Sequence, residues 1–404
     1  MRIMFGVALC AALYACGLDD TVIEMEGPGD ASGSGVGDAS IDASTNDASR
    51  DGATSLDGST GLSDSGTPAD GYEKALTIHS ANVTATLTDF PVWIQLSDAD
   101  LAAHAAANGS DIYFTDNAGA PLAYEIQHWI SAGGHLEAWV KVPSVSNAAD
   151  TTIYIRYGKS GGPAANSAAV FSANFVSVWH LEAPAGASFP DALGAHNGTP
   201  VNISSNPTTT AQLGSGVAFD GGTGEITFTN ALSGNTASTI SLWVSQGTTT
   251  DNDALVVLGN GTAEQSRWLH SVFTPNPSTV TPTNVAIGFY NDDWSNPESS
   301  IDIIGAGWTS LVWVYDGVNA STLYKNGAFA DGPHAATGTV NTQGTTGYLG
   351  NAPAAYGTNM GAHATIDEVR IANVVRTLPW IAAEYANQKS PTAFYAVAAE
   401  QAAP

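Results

Sequence analysis

The sequence predicts an all-β protein in which a disordered N-terminal stalk carries a small antiparallel β-sandwich followed by a larger series of strands. Three observations predict it. Only 12% of the 404 residues are charged and 43 are glycine, a balance that suits short strands and frequent turns better than long helices. From about residue 72 apolar residues recur with period two, the mark of half-buried strands. Between residues 17 and 71 large apolar residues are too sparse to build a core.

The chain is long enough for two or more domains with cores of their own. Its formal charge of −27, from 11 basic and 38 acidic residues, excludes the clustered Lys and Arg that a nucleic-acid partner requires. Both cysteines, Cys10 and Cys16, lie at the extreme N-terminus. A chain processed there has no internal disulfide, so its folded part relies on burial or on a bound ion.

Residues 1–16 have the layout of an export signal: Arg2, an apolar run from Ile3 to Tyr14, then Ala15 and Cys16. The run is shorter than the ~20 residues that span a bilayer. Leu13-Tyr14-Ala15-Cys16 resembles a bacterial lipoprotein processing box, although Tyr14 stands where a small residue is usual. The resemblance implies lipidation of Cys16, a membrane contact through that lipid anchor alone, and a place at the cell envelope, on the outer membrane or cell surface. An ordinary secretory signal is the alternative. Residues 17–71 are rich in Asp, Ala, Ser, Gly and Thr, with loose repeats such as "GDASIDASTNDAS", a composition that does not fold. Ile41 rules out an EF-hand reading of this stretch, because it stands where the loop needs its bidentate Glu. As a flexible tether the segment has an end-to-end distance of roughly 40 Å.

In residues 72–160 Val92, Ile94 and Leu96 share a face, as do Tyr124, Ile126 and His128; Leu136, Ala138, Val140 and Val142; and Ile153, Ile155 and Tyr157. Asn117-Ala118-Gly119 reads as a turn. "FPVWIQL", "GSDIYFTDNAGAPLAYEIQHW", "LEAWVKVPSV" and "TTIYIRYG" resemble a bacterial extracellular β module classed as a domain of unknown function. That resemblance implies architecture and location but no catalytic residues, so His128 and Lys141 are read as structural.

Residues 168–400 contain a second series of strands: "VSVWHLE", "GVAFDG", "STISLWVSQ", "VAIGFY", "WTSLVWVYDG", "STLYKNG", "GYLGN" and "ATIDEVRIA". Ile240, Leu242 and Val244 alternate on one strand and Leu311, Trp313 and Tyr315 on another. In this order the motifs resemble the laminin-G and concanavalin A-like jelly roll. Ile366, Val369 and Ile371 form a late strand that pairs with the N-terminal part of the sheet. Thr377 caps a short helix with Pro379 in its first turn, followed by Trp380, Ile381, Glu384 and Tyr385 at helical spacing. "FYAVAAE" is then the last strand. Trp93, Trp139, Trp243 and Trp313 alternate with apolar neighbours and are read as packing residues.

By analogy with relatives of this fold, Glu182, Asp191, Asn197 and Asp367 could converge on a structural calcium ion, which takes six to eight oxygens. Solvated turn and edge carboxylates are the equal alternative. No Glu-x-Asp-x-x-Glu strand, nucleophile elbow, His-Glu-x-x-His helix or phosphate loop occurs. "LYKNGAF" has a passing likeness to a lyase Tyr-x-Lys-x-Gly-x-Tyr element, but Phe329 lacks the hydroxyl, and Asn326-Gly327 reads as a hairpin turn. The expectation is therefore a non-enzyme. For binding, Tyr290, Asn291, Asp292, Asp293 and Trp294 in "FYNDDWSNPESS" combine large aromatics with hydrogen-bonding side chains in a loop, the combination that a sugar's two surfaces require. A Trp294 pinned back on the sandwich is the plainer alternative. The expected role is a surface lipoprotein that binds glycan or matrix without cleaving it. The alternatives are an assembly protein that binds another envelope protein, linked to biopolymer transport by resemblance of the first module, and a carbohydrate-active enzyme.

Overall fold

The computed structural model describes residues 68–404 except 184–185, 204–210, 248–251, 260–265, 273–283, 290–297, 337 and 357–359. Period-two patterning in the first module becomes strands β1 (Tyr72–Ile78), β2 (Leu87–Ser97), β3 (Tyr113–Asp116), β4 (Tyr124–Ile130), β5 (His135–Val145) and β6 (Thr151–Tyr157). The single-turn helix α1 (Ala99–His104) starts where the Asp98 carboxylate accepts from the backbone N–H groups of Asp100 and Leu101, at 3.0 and 3.1 Å. A second short helix, α2 (Ser167–Val170), leads into the next module.

There the strands are β7 (Phe175–Trp179), β8 (Thr199–Val201), β9 (Val217–Ala218), β10 (Glu225–Thr229), β11 (Ser238–Gln246), β12 (Asp253–Leu258), β13 (Arg267–Val272), β14 (Asn284–Phe289), β15 (Glu298–Asp302), β16 (Trp308–Tyr315), β17 (Ala320–Lys325), β18 (Ala328–Ala335), β19 (Thr346–Leu349) and β20 (Ala364–Ala372). They form two antiparallel sheets: β15-β14-β13-β12-β19-β10-β8, and β18-β17-β16-β11-β20-β7 with β9 added to β20. The inner faces meet in one core, with Ile240, Leu242, Val244, Leu311, Trp313, Ile366, Val369 and Ile371 from one sheet against Ile226, Phe228, Val256, Leu258, Leu269, Ile287 and Leu349 from the other. The Asn326-Gly327 hairpin joins β17 to β18 with φ of 51° and 76°, both in the left-handed region that such a turn requires.

The chain ends in helices α3 (Leu378–Lys389) and α4 (Pro391–Phe394) and strands β21 (Tyr395–Val397) and β22 (Gln401–Ala402). Two expectations are corrected here. Thr377 stands at the N-cap of α3, but its side chain makes no capping bond. "FYAVAAE" does not close the jelly roll: β21 and β22 both pair with β1, so the first module is a sandwich of β21-β1-β6-β3 on β2-β5-β4, completed by the end of the chain. The described residues fall within one compact unit. Among the described residues no helix is long and apolar enough to cross a membrane.

The β2-β5-β4 sheet is buried on both faces. Val92, Ile94, Ala138 and Val140 face the first sandwich, while Trp93 and Trp139, cross-strand partners, lie on the opposite side with rings 4.8 Å apart. Against that side lie α3 and the outer face of the β7-β20-β11 sheet. Asn387 of α3 accepts from the Trp93 N–H at 2.6 Å and donates to its carbonyl at 3.0 Å, and the next residue, Gln388, accepts from the Trp243 indole.

Candidate functional site

Alternation on β10 turns Ile226 and Phe228 into the jelly-roll core and leaves Glu225 and Thr227 on the outer face. Thr227 pairs with Tyr348 of β19, Tyr348 with Val257 of β12, and Val257 with Trp268 of β13, which sets Tyr348 and Trp268 in one row on that face. The chain leaves β19 through Gly350, at a φ of 77°, and turns back over the sheet, so that Tyr348, Tyr356 and Met360 pack on Ala254, Val257, Trp268 and Ala352. Between this return and the turns at residues 202 and 221–223 opens a cleft of about 600 Å³, lined by Asn202, Glu225, Tyr348, Asn351, Pro353 and Met360 among others. That volume suits a small ligand.

The polar groups of the cleft are partly committed. Asn351 Oδ1 accepts from the Ala352 N–H at 2.8 Å, and Asn202 Nδ2 donates to the Thr223 carbonyl at 3.4 Å. The remaining amide donor of Asn351 and acceptor of Asn202 face different demands, as the hydroxyls of a sugar would. Burial pushes the Glu225 carboxyl above its usual range. Burial, and then the neighbouring Glu225, push the Tyr348 hydroxyl up as well. An aromatic ring, two amides and a carboxyl in one recess can bind a polyhydroxylated ring; they contain no nucleophile and base in hydrogen-bond contact.

A second concentration of polar groups lies between the modules, and two β-bulges build it. On β20 the register passes from Arg370 opposite Ser241 to Asp367 opposite Trp243, with Glu368 at a φ of 51°. Ile366, Val369 and Ile371 therefore all point into the core, while Asp367, Glu368 and Arg370 share the other face. On β4 Ile126 opposes Ala138 but His128 opposes Glu137, so Ile126 and His128 lie on opposite faces. That corrects the expectation that Tyr124, Ile126 and His128 share one. Glu125 and His128 thereby join Glu137 on the side that faces β20.

The buried His180 imidazole bonds Glu368 at 2.7 Å and Glu125 of the first module at 3.3 Å. Burial alone would lower its pKa, but the two carboxylates outweigh that and push it up to about 10. Arg370 pairs with Glu368 and with Glu384 of α3, each at 2.7 Å, and lies 4.2 Å from the Trp139 ring centre. Burial raises the Asp367 carboxyl well above its usual range, with the adjacent Glu368 adding to it; Glu368 itself is held low by His180 and Arg370 against its own burial. These causes together favour the charged form at Glu368 and the neutral form at Asp367. His128 bridges Glu137 at 2.6 Å and Glu182 at 3.3 Å.

The four residues considered for calcium serve two different places. Asp191 accepts from the N–H groups of Val178, Leu193, Ala195 and His196, and its own N–H donates to Asn197, so this pair organises the loop after β7. Glu182 accepts from the Ser215 N–H at 2.9 Å and Asp367 from the Leu213 N–H at 2.8 Å, at the edge of the charge cluster. Gly214 lies between these two donors at a φ of 51°, where a Cβ would fall 1.8 Å from Glu182 Oε1. Among the described residues no three His, Cys, Asp or Glu side chains are arranged to hold a metal ion. Cys16 and the loop Tyr290, Asn291, Asp292, Asp293, Trp294 lie outside the described residues. Trp93, Trp139, Trp243 and Trp313 are buried as expected. The cleft residues were missed, although "GYLGN" carries a signal: an aromatic between glycines, out of phase with the core residue Leu349.

Residues 108–176 match the family described as "Domain of unknown function (DUF2341)", and residues 220–382 match the "Concanavalin A-like lectin/glucanases superfamily". No curated protein matches the chain. Among solved structures, the receptor binding domain of botulinum neurotoxin D is similar at 13% identity and a TM-score of 0.38, covering 53% of each chain. Domain 4 of a GH43 extracellular arabinanase from Geobacillus stearothermophilus, solved in complex with arabinotriose, is similar at 19% identity and a TM-score of 0.36, covering 53% of this chain and 98% of that one. A Trypanosoma rangeli sialidase is similar at 13% identity and a TM-score of 0.38, covering 60% and 41%. The chain spans about half the length of the toxin binding domain, and likeness at this level bears on neither ligand nor activity. The family matches show a DUF2341 domain followed by a concanavalin A-like domain of the laminin-G type.

Proposed function

We propose that the protein is an exported, envelope-anchored binding protein that recognises glycan through the cleft of its concanavalin-like domain and does not cleave it. The observation that carries this reading is the cleft itself, where the half-buried Tyr348 ring, two asparagines and a carboxyl converge on a recess of sugar size. Lipid on Cys16 and a stalk of roughly 40 Å would display the cleft away from the membrane, and many tethered copies would multiply a weak single contact.

The test is to present the full chain to a polysaccharide panel, with and without calcium, and to measure both retention and released sugar. Retention without release, weakened about tenfold by Tyr348→Ala, which corresponds to ~1.4 kcal/mol, is the expected result. Loss in Trp294→Ala but not Tyr348→Ala would move the site to the 290–294 loop. Sugar release would overturn the non-catalytic reading. A second reading, an envelope-protein partner, is favoured by β4, an edge strand that ends in the 54% exposed Ile130; retention on no polysaccharide would select it.

A further inference from the structure

The cleft has a definite charge character. Among the described residues that line it, Glu225 is the one carboxylate, and no Lys, Arg or His contributes. This is not simply the chain's average, because basic side chains do occupy other recesses: Arg156 and Lys159 both line a smaller cavity of the first module. Recognition of a carboxylated or sulfated sugar relies on such cations, above all the two-pronged guanidinium. The cleft instead offers a half-buried carboxyl whose ionised form is already disfavoured by burial. A second negative group brought beside it would add repulsion in a poorly solvated place.

Glu225 is also held firmly in position. Its backbone pairs with Val201 on β8, and Ile226 beside it is fully buried against Leu349. The ladder thus fixes the point on the sheet from which the Glu225 side chain enters the recess. Around it, the committed Asn351 Oδ1 leaves an amide donor, the committed Asn202 Nδ2 leaves an acceptor, and Glu225 supplies a further acceptor. Hydroxyl groups satisfy all three, since each can donate or accept.

We propose that the cleft selects glycans without acidic groups, with Glu225 as the residue that sets the selection. The inference rests on the glycan-binding reading and goes further by naming the ligand class. Uronates, sulfated sugars and sialylated glycans are turned away by repulsion, and uncharged pyranose or furanose chains are accepted.

Binding of the full chain would be compared on a neutral arabinan or β-glucan and on polygalacturonate, at low and high salt. The wild type is expected to favour the neutral polymers at least tenfold at low salt. That preference should narrow as salt screens the carboxylate. Glu225→Gln, which keeps the shape, should shrink the neutral-to-acidic ratio at least tenfold, and Glu225→Lys should invert it. Circular dichroism confirms that each variant is folded. Equal binding of both polymer classes by the wild type, or a ratio unmoved in both variants, would overturn the charge selection while leaving glycan binding intact. Binding to no polymer at all would remove the underlying reading and this inference together.

Discussion

Glu368 shows how much a single backbone irregularity decides. In a regular strand it would point into the jelly-roll core; with its φ of 51° it lies beside Asp367 and Arg370 on the module-facing side. Removing one partner of a buried ion pair leaves the other uncompensated, so Glu368→Gln is expected to destabilise the fold by roughly 3–5 kcal/mol. Asp367→Asn should cost less, because burial and Glu368 both disfavour the charged form of that carboxyl. Urea unfolding of the two variants, side by side, checks the contrast; equal losses would refute the preference for a neutral Asp367. His180 predicts a pH dependence. Unfolded, its imidazole titrates near the ordinary value of 6.5; folded, it keeps its proton to about 10. Its contribution is thus complete below pH 6.5 and is lost as pH rises from there through 10. The urea midpoint of the wild type should fall between pH 6 and pH 10 by more than that of His180→Gln. The irregular spacing of Ile366, Val369 and Ile371, three residues and then two, was the trace of this bulge in the sequence. It fixed which residues are core, but not what the displaced carboxylate would meet.

At the scale of elements, the end of the chain carries the clearest consequence. Phe394 and Tyr395, each 1% exposed, belong to the first module's core, and the Tyr395 hydroxyl bonds the backbone of Gln95 at 2.8 and 3.0 Å. Phe394→Ala should cost about 3–5 kcal/mol. Truncation after residue 390 should expose the β1 edge, read as loss of hydrogen-exchange protection in β1 and β6 while β12, β13 and β19 stay protected. "FYAVAAE" was legible as a strand because alternation is a local property. Its partner was not, since an unpaired edge of either sandwich offers the same row of N–H and C=O groups.

At the scale of the whole molecule, one apolar cluster runs from Trp93 and Trp139 through Trp380 and Ala383 of α3 to Trp243 and Val178 of the jelly-roll sheet. The two modules are consequently expected to unfold in a single transition, with fluorescence and far-ultraviolet circular dichroism coincident. Residues 72–160 expressed alone, lacking β21, β22 and α3, should bind hydrophobic dyes and fail to unfold cooperatively; a sharp, independent transition would contradict the shared core.

Composition and periodicity were enough to settle the all-β class, strands such as β2, β5, β11, β16 and β20, and the buried tryptophans, because each follows from the burial of residues close together in sequence. The pairing of the last strands with the first, the bulges that bring Glu125, His180, Glu368, Arg370 and Glu384 together, and the cleft around Glu225 and Tyr348 came from the folded chain alone. Each depends on contacts between residues tens to hundreds of positions apart, and side-chain alternation records which face is apolar without recording what that face will touch.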